Sequence, residues 1–328
     1  MKHFAFLCLG VALLAACRKD DLIVVCDPAA TNTIADIRAA APAVQRFPFN
    51  LAQAQSFRTS GGATLGFGPS AYILPNGNVA TGQAELRVRE IYAVPDMVLA
   101  DMPTTAQSSR QMLVSGGEFN IQVWQGSTRL RMSFSSPTGT INRLSLTSPV
   151  PTAGLDTTRM MLWNQPSSAL AGTPGDSLGW QQFFFVGLLP SIRTSVPVPA
   201  TAGNYSVAFP LDSIGNWNID QFWHAYRGRP SSNIGVELPT TASATATRVY
   251  FRPVGFNGLA RCYPSSSSPN RWSSLMPNGA DVIAVVLQER NGQLYYGTQR
   301  FNTAANMVVT PTLQALSAAD IIQRIRQL

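Results

Sequence analysis

Histidine is almost missing from this 328-residue chain: His3 and His224 are the only two. No metal site built on two or more histidines can form in the body of the protein. Charge is scarce as well, at 12% of residues, about half the ordinary share. Hydrophobic residues make up 45%, so a solvated disordered chain is excluded and material for a core is present. Lysine occurs only as Lys2 and Lys19, and arginines carry the rest of the net charge of +7. They stand singly (Arg58, Arg87, Arg110, Arg143, Arg193, Arg248), whereas nucleic-acid binders concentrate basic residues on one face or arm. No nucleic-acid partner is expected. Acidic residues number 17 and form no Asp-x-Asp-x-Asp run, which leaves a calcium loop unsupported. Beyond the first residues no stretch of 18 apolar residues occurs, so no later segment reads as a membrane-spanning helix.

The N-terminus is rich in signal. Met1-Lys2-His3 is a short positive segment, and the 11 apolar residues Phe4 to Leu14 are too few to span a bilayer. Leu14-Ala15-Ala16-Cys17 comes next and resembles the bacterial lipobox, which implies cleavage before Cys17 and a diacylglycerol on its sulfur. Arg18-Lys19-Asp20-Asp21 resembles the export signal of Bacteroidota surface lipoproteins, a lysine followed by two acidic residues. The resemblance marks Lys19, Asp20 and Asp21 as directing display on the outer face of the outer membrane. Cys8 leaves with the leader and Cys17 takes lipid, so Cys26 and Cys262 remain, as a disulfide or as two free thiols.

Five segments are expected: a signal peptide at 1–16, a lipidated tether at 17–56, a β-sandwich module at 57–150, a second β domain at 151–310, and a C-terminal helix at 311–328. Within the tether, Thr33-Ile34-Ala35-Asp36 fits a capping box opening a short helix before Pro42. Ala63 to Phe67 reads as a strand, and Pro75-Asn76-Gly77-Asn78 as a turn. Gln83 to Tyr92 alternates apolar and polar residues, a half-buried strand with a bulge expected near Glu90. Glu118 to Trp124 and Arg129 to Phe134 pair as a hairpin across Gln125-Gly126-Ser127. Further on, Gln181 to Leu189, Tyr205 to Phe209, Thr247 to Arg252 and Asp281 to Gln288 read as strands. Asn291-Gly292 then turns the chain into Gln293 to Gly297. Ser317-Ala318-Ala319-Asp320 caps a closing helix with Ile321, Ile322 and Ile325 on one face. The fold class is all-β: two consecutive β-sandwich-like domains after the lipoprotein signal and tether, closed by a short helix.

The run from Gly61 to Phe134 resembles the β-sandwich module named after zonula occludens proteins and netrin receptors. The resemblance is carried by Pro75-Asn76-Gly77, Val79, Thr81-Gly82, Glu90-Ile91-Tyr92, Asp96 to Leu99, Pro103-Thr104-Thr105 and Leu113 to Phe119. It implies a non-enzymatic module. Ile214 to Phe222 is similar to a Gly-Trp-Ile-Asn-x-Asp-x-Phe block that follows the first module in such lipoproteins, with Asn216 inserted between Gly215 and Trp217.

Three chemistries are open to these residues. Asp220 and His224 stand four apart and would share the face of a helix, where with a serine they would make a triad. No Gly-x-Ser-x-Gly elbow is expected to present the serine, and the flanking Trp217, Phe222, Trp223 and Tyr226 read as packing around a structural histidine. Glu85, Glu90, Asp96, Asp101 and Glu118 are the densest carboxylates for glycoside hydrolysis, but strand and turn roles account for them. Among the aromatic residues, Trp217, Trp223 and Tyr226 form a candidate ligand platform, against a bulk role in the core. No catalytic residue, metal or cofactor is expected. The expected function is a non-enzymatic outer-membrane surface lipoprotein, held by lipid through its N-terminal diacylglycerol and contributing a binding or assembly module. Its expected partner is a surface protein or glycan. The alternative is an exported hydrolase acting on glycans.

Overall fold

Leu113–Gln125 is the strand around which the first half of the protein is organised. The computed structural model describes residues 33–107, 109–133, 143–150, 155–165, 179–186, 193–195, 197–201, 203–210, 214–223, 228–239 and 246–328. Within them the chain is predominantly β. The leader, Cys17, Lys19, Asp20, Asp21, Cys26, His224 and Tyr226 lie outside the described residues.

The sheet containing Leu113–Gln125 runs, in spatial order, Gln45–Asn50, Gln83–Ile91, Leu113–Gln125, Asn216–Phe222, Met161–Asn164 and Gln181–Gln182. A second sheet runs Ala200–Thr201, Asn204–Pro210, Arg143–Pro149, Thr64–Phe67 and Gln55–Arg58. Leu86, Val88, Phe119, Ile121, Trp217 and Ile219 of the first share one core with Leu65, Phe67, Leu144, Leu146 and Tyr205 of the second. These are the alternate residues of each strand, as period-2 geometry requires of two sheets packed face to face.

The expected boundary at 150/151 falls inside this sandwich. Asn216–Phe222 hydrogen-bonds along Leu113–Gln125, and Asn204–Pro210 along Arg143–Pro149. Pairing between strands a hundred residues apart leaves no local trace in the sequence. The expected tether also shrinks, because Gln45–Asn50 is an edge strand whose Phe49 enters the core.

The second sandwich is built from later residues. One sheet runs Tyr263–Pro264, Arg271–Pro277, Ser231–Glu237 and Val308–Val309, the last pair parallel. The other runs Ala260–Arg261, Thr247–Pro253, Asp281–Arg290, Gln293–Asn302 and Gln314–Leu316. The surroundings of Asp281–Arg290 explain its unbroken apolar run. Val282, Ala284 and Val286 point into the core between the sheets, and Val285 and Leu287 point out beneath a layer of helices. A strand buried on both faces has no polar side to alternate. The Asn291-Gly292 turn has φ of 53° and 72°, the left-handed pair that a two-residue hairpin of this type needs.

Three short helices make that layer among the described residues: α1 (Ile34–Ala39), α2 (Val94–Ala100) and α3 (Ala318–Ile325). The Thr33–Asp36 capping box opens α1, and Ser317 Oγ accepts the Asp320 amide at 3.1 Å to open α3. Ile34, Ile37, Met97, Val98, Ile321 and Ile325 pack together on the sheet with Val285 and Leu287. Helix α2 has no counterpart among the expected elements. It closes with Asp101 at φ 55°, with the Asp101 and Met102 amides returning to the carbonyls of Val98 and Met97. That is a left-handed cap, normally a glycine position, occupied here by aspartate.

The expected bulge near Glu90 is absent, and pairing stays in register from Glu85 to Ile91. Glu90 breaks the alternation because its buried carboxylate accepts from Thr59 Oγ1 at 2.6 Å, the Gly61 amide at 3.0 Å and Tyr92 Oη at 2.9 Å. The bulge lies opposite, where Asn218 pairs with Glu118 and Asp220 with Ser115. Gly116 and Gly117 therefore face the single residue Ile219.

Candidate functional site

Asp220 lies in the strand Asn216–Phe222, so the helical spacing that would pair it with His224 does not exist. In a strand, positions 216, 218, 220 and 222 share one face, and the neighbouring strand sets the partners of Asp220. Trp217 is 1% exposed and lies edge-on to Phe183 in the core, with ring centroids 5.2 Å apart, so it presents no face to a ligand. Trp223 is half-buried against Phe256. Trp163, Trp180 and Trp272 are buried too, and the indole nitrogens of Trp163 and Trp180 donate to the Asp220 and Pro103 carbonyls, each at 2.9 Å. Large rings are the cheapest way to fill a sandwich interior, and that is where these go.

Residues 175–179 hold a motif absent from the expectations. Gly175-Asp176-Ser177-Leu178-Gly179 has the Gly-x-Ser-x-Gly spacing of a nucleophile elbow, which requires a strand before it and a helix after it. Residues 175–178 lie outside the described residues. The next described element is the strand Gln181–Gln182, where an elbow would have its helix. A Cβ on Gly179 would lie 2.5 Å from the Thr105 carbonyl oxygen, and glycine is required there for close backbone packing.

The carboxylates divide by environment. Glu85 is a surface partner of Arg46 and Arg87. Asp101 is buried and ringed by cations: Arg248 Nε at 2.8 Å, Arg261 Nη1 at 2.5 Å and Arg38 Nη2 at 3.3 Å, with Tyr250 Oη donating at 2.5 Å. Burial alone would raise its carboxyl, but the Arg261 and Arg248 charges outweigh burial and hold it below the usual range. Asp96 is raised by burial.

Glu118 and Asp220 are both fully buried at the Gly116-Gly117 bulge and, unlike Asp101, have no cation in contact among the described residues. Asn218 Nδ2 donates to Asp220 Oδ2 at 2.5 Å and approaches Glu118 Oε1 at 3.5 Å. Asn218 Oδ1 accepts from Ser115 Oγ at 3.0 Å. Among the described residues, Glu118 Oε2, Asp220 Oδ1 and Tyr205 Oη have no hydrogen-bond partner. Burial pushes both carboxyls well above the carboxylate range, and the Asp220 charge adds to the rise at Glu118.

A solvent-open cleft lies at one end of the second sandwich. It measures about 610 Å³ and opens between the end of Ser231–Glu237, the last residues of Asp281–Arg290 and the segment 310–313. Its walls include Glu237, Asn270, Gln288, Arg290, Tyr295 and Pro311. Gly297 lets the 310–313 segment lie against its strand, since a Cβ there would come within 2.5 Å of the Thr312 carbonyl oxygen. The Arg290 guanidinium stacks 4.5 Å from the centre of the Tyr295 ring. Gln288 is only 2% exposed, and its Oε1, like Asn270 Oδ1, has no hydrogen-bond partner among the described residues. Side-chain acceptors left over beside an aromatic–guanidinium wall suit a ligand that brings hydrogen-bond donors. The sequence signalled none of this, because Glu237, Asn270, Gln288 and Tyr295 belong to four separate segments. Compared with known proteins, the chain matches no protein-family model and no curated protein, so the site stands on its own chemistry.

Proposed function

We propose that this chain is a lipid-anchored outer-membrane surface protein without enzymatic activity, serving as a binding or assembly module. The observation that carries the reading is the chemistry of the cleft beside Tyr295. The leftover acceptors Gln288 Oε1 and Asn270 Oδ1 offer hydrogen bonds to a partner. The acid groups Glu90, Asp101, Glu118 and Asp220 are all buried within the scaffold instead. Leu14-Ala15-Ala16-Cys17 supports the lipid anchor and Lys19-Asp20-Asp21 supports display at the cell exterior. The resemblance of residues 61–134 to a non-enzymatic sandwich module supports assembly over catalysis.

The test is site-specific photo-crosslinking on intact cells. A photoreactive residue replaces Thr312, at the exposed rim of the cleft, or Arg131, exposed on the first sandwich. A discrete adduct from position 312 alone is the expected result. Equal labelling from both positions, or hydrolysis of a surface glycan by the purified wild type, overturns the reading.

A further inference from the structure

The cleft beside Tyr295 has residues of both sheets of the second sandwich in its walls. On one side, Thr247, Gln288 and Tyr295 stand in a row across three adjacent strands. Val249 and Val286, two residues further in, enter the core between the sheets, so Thr247 and Gln288 share that face. Tyr295 shares it too, because its neighbours Leu294 and Tyr296 point to the helix layer. Directly paired side chains on one face have Cβ atoms about 5 Å apart, which sets Gln288 beside Tyr295. From the other sheet, Asn270 stands two residues before the core residue Trp272, and its carbonyl accepts the Leu238 amide at 2.9 Å. Two side-chain amides thus meet one space from opposite sheets, where the apolar core ends.

What these walls offer narrows the class of ligand. The strands Ser231–Glu237, Asp281–Arg290 and Gln293–Asn302 are each paired on both sides, so an extended peptide finds no free edge on them to join as a further strand. The charges are of both signs and already engaged. Glu237 Oε2 lies 3.7 Å from Arg271 Nη2, and the Arg290 guanidinium stacks on the Tyr295 ring. A strongly charged ligand therefore gains little here. The remaining chemistry is neutral: two amides and the Thr247 hydroxyl beside an aromatic ring. Gln288 Oε1, Asn270 Oδ1 and Thr247 Oγ1 have no hydrogen-bond partner among the described residues.

We propose that this cleft takes a neutral carbohydrate, held at its ring hydroxyls by the Gln288 and Asn270 amides from opposite sheets. The proposal rests on the cleft being the binding site of the module and adds the class of its ligand. A side-chain amide carries two donors and an acceptor in one plane, and a sugar hydroxyl both donates and accepts. Adjacent hydroxyls on a ring therefore match an amide at both of its ends. The stacked Tyr295 and Arg290 give a flat wall against which the C–H face of the ring packs. The volume of about 610 Å³ falls within the range of small-ligand sites. Because the amides lie at the end of a packed core, a ligand lacking the matching hydroxyl leaves them unpaired and is rejected.

The experiment applies the full-length lipoprotein in detergent to an array of neutral hexose and N-acetylhexosamine oligosaccharides, with sulfated and uronate-bearing chains alongside. Binding to a neutral chain is expected, insensitive to added salt. Calorimetry with that oligosaccharide should give affinity weakened about tenfold or more by Gln288→Met and by Asn270→Ala. Gln288→Met keeps the volume of the side chain, and Asn270 is only half-buried, so both variants should melt close to the wild type. Arg131→Ala, on the first sandwich, should bind as the wild type does. A silent array, binding confined to the acidic chains, or affinity that survives both substitutions overturns the carbohydrate assignment. A silent array together with a cell-surface adduct from position 312 overturns that assignment alone and leaves the binding-module reading standing. Hydrolysis of the bound oligosaccharide does the reverse: the ligand class holds and the non-enzymatic reading falls.

Discussion

Arg261 Nη1 lies 2.5 Å from Asp101 Oδ1, a contact between a strand of the second sandwich and the left-handed residue that caps α2. The same aspartate accepts from Arg248 and Tyr250, which fixes the helix layer to the sheet beneath it. Nearby, the Thr104 amide donates to the Leu259 carbonyl at 2.8 Å and the Ser115 amide to the Asn257 carbonyl at 2.7 Å. The two sandwiches are thus laced together by backbone bonds beside a buried ion cluster.

Replacing Asp101 by asparagine takes the shared buried carboxylate away from the guanidinium groups of Arg248 and Arg261. The expected loss is about 3–5 kcal/mol, read from urea or thermal unfolding. The arginines hold the carboxyl below its ordinary value, so its contribution is complete above the unfolded-state value of about 4. It disappears as pH falls through the depressed folded value. The wild type should therefore lose stability steeply below about pH 4, and Asp101→Asn should lack that component. Identical acid profiles for the two proteins would count against the clasp.

Gly117 has φ of +146°, and a Cβ there would lie 2.8 Å from the Tyr92 ring. Gly117→Ala should cost about 1–3 kcal/mol through overpacking and backbone strain together. Tyr92→Leu in the same chain should recover part of that loss if the ring is the obstacle, and none if the backbone alone is.

Cys262 is a free thiol with no exposed surface, and burial raises its ionisation well above the ordinary value. In a Cys26→Ser background it should resist alkylation in the folded protein and react fully in denaturant. Rapid labelling under native conditions would contradict its place in the core.

Cys17→Ser should strip the chain of its diacylglycerol and shift it out of the outer-membrane fraction. Protease added to intact cells should digest the wild type, and replacing Lys19, Asp20 and Asp21 with alanine should protect it. A wild type that resists protease until lysis would place it on the inner face.

Local patterns carried much of the fold. Alternation marked Gln83–Ile91, a capping box marked α1 and another α3, and Asn291-Gly292 marked its hairpin, because each depends on residues within a few positions. The all-β class came from the same signals. The sequence itself also contained the Gly-x-Ser-x-Gly at 175–179, and only the strand at Gln181–Gln182 shows that the helical half of an elbow does not come next. Tertiary structure decided the rest. Asn216–Phe222 joins Leu113–Gln125, which moves the end of the first sandwich past 150 and brings Asp220 to Glu118 rather than to a helical neighbour. Helix α2 ends on an aspartate that three distant arginines make tolerable in the interior. Gln288, Asn270, Glu237 and Tyr295 share a cleft only because four separate segments meet there. Spacing along the chain fixes which way a side chain points, whereas which side chains meet depends on pairing across a hundred residues or more, and that pairing comes from burial of the whole core.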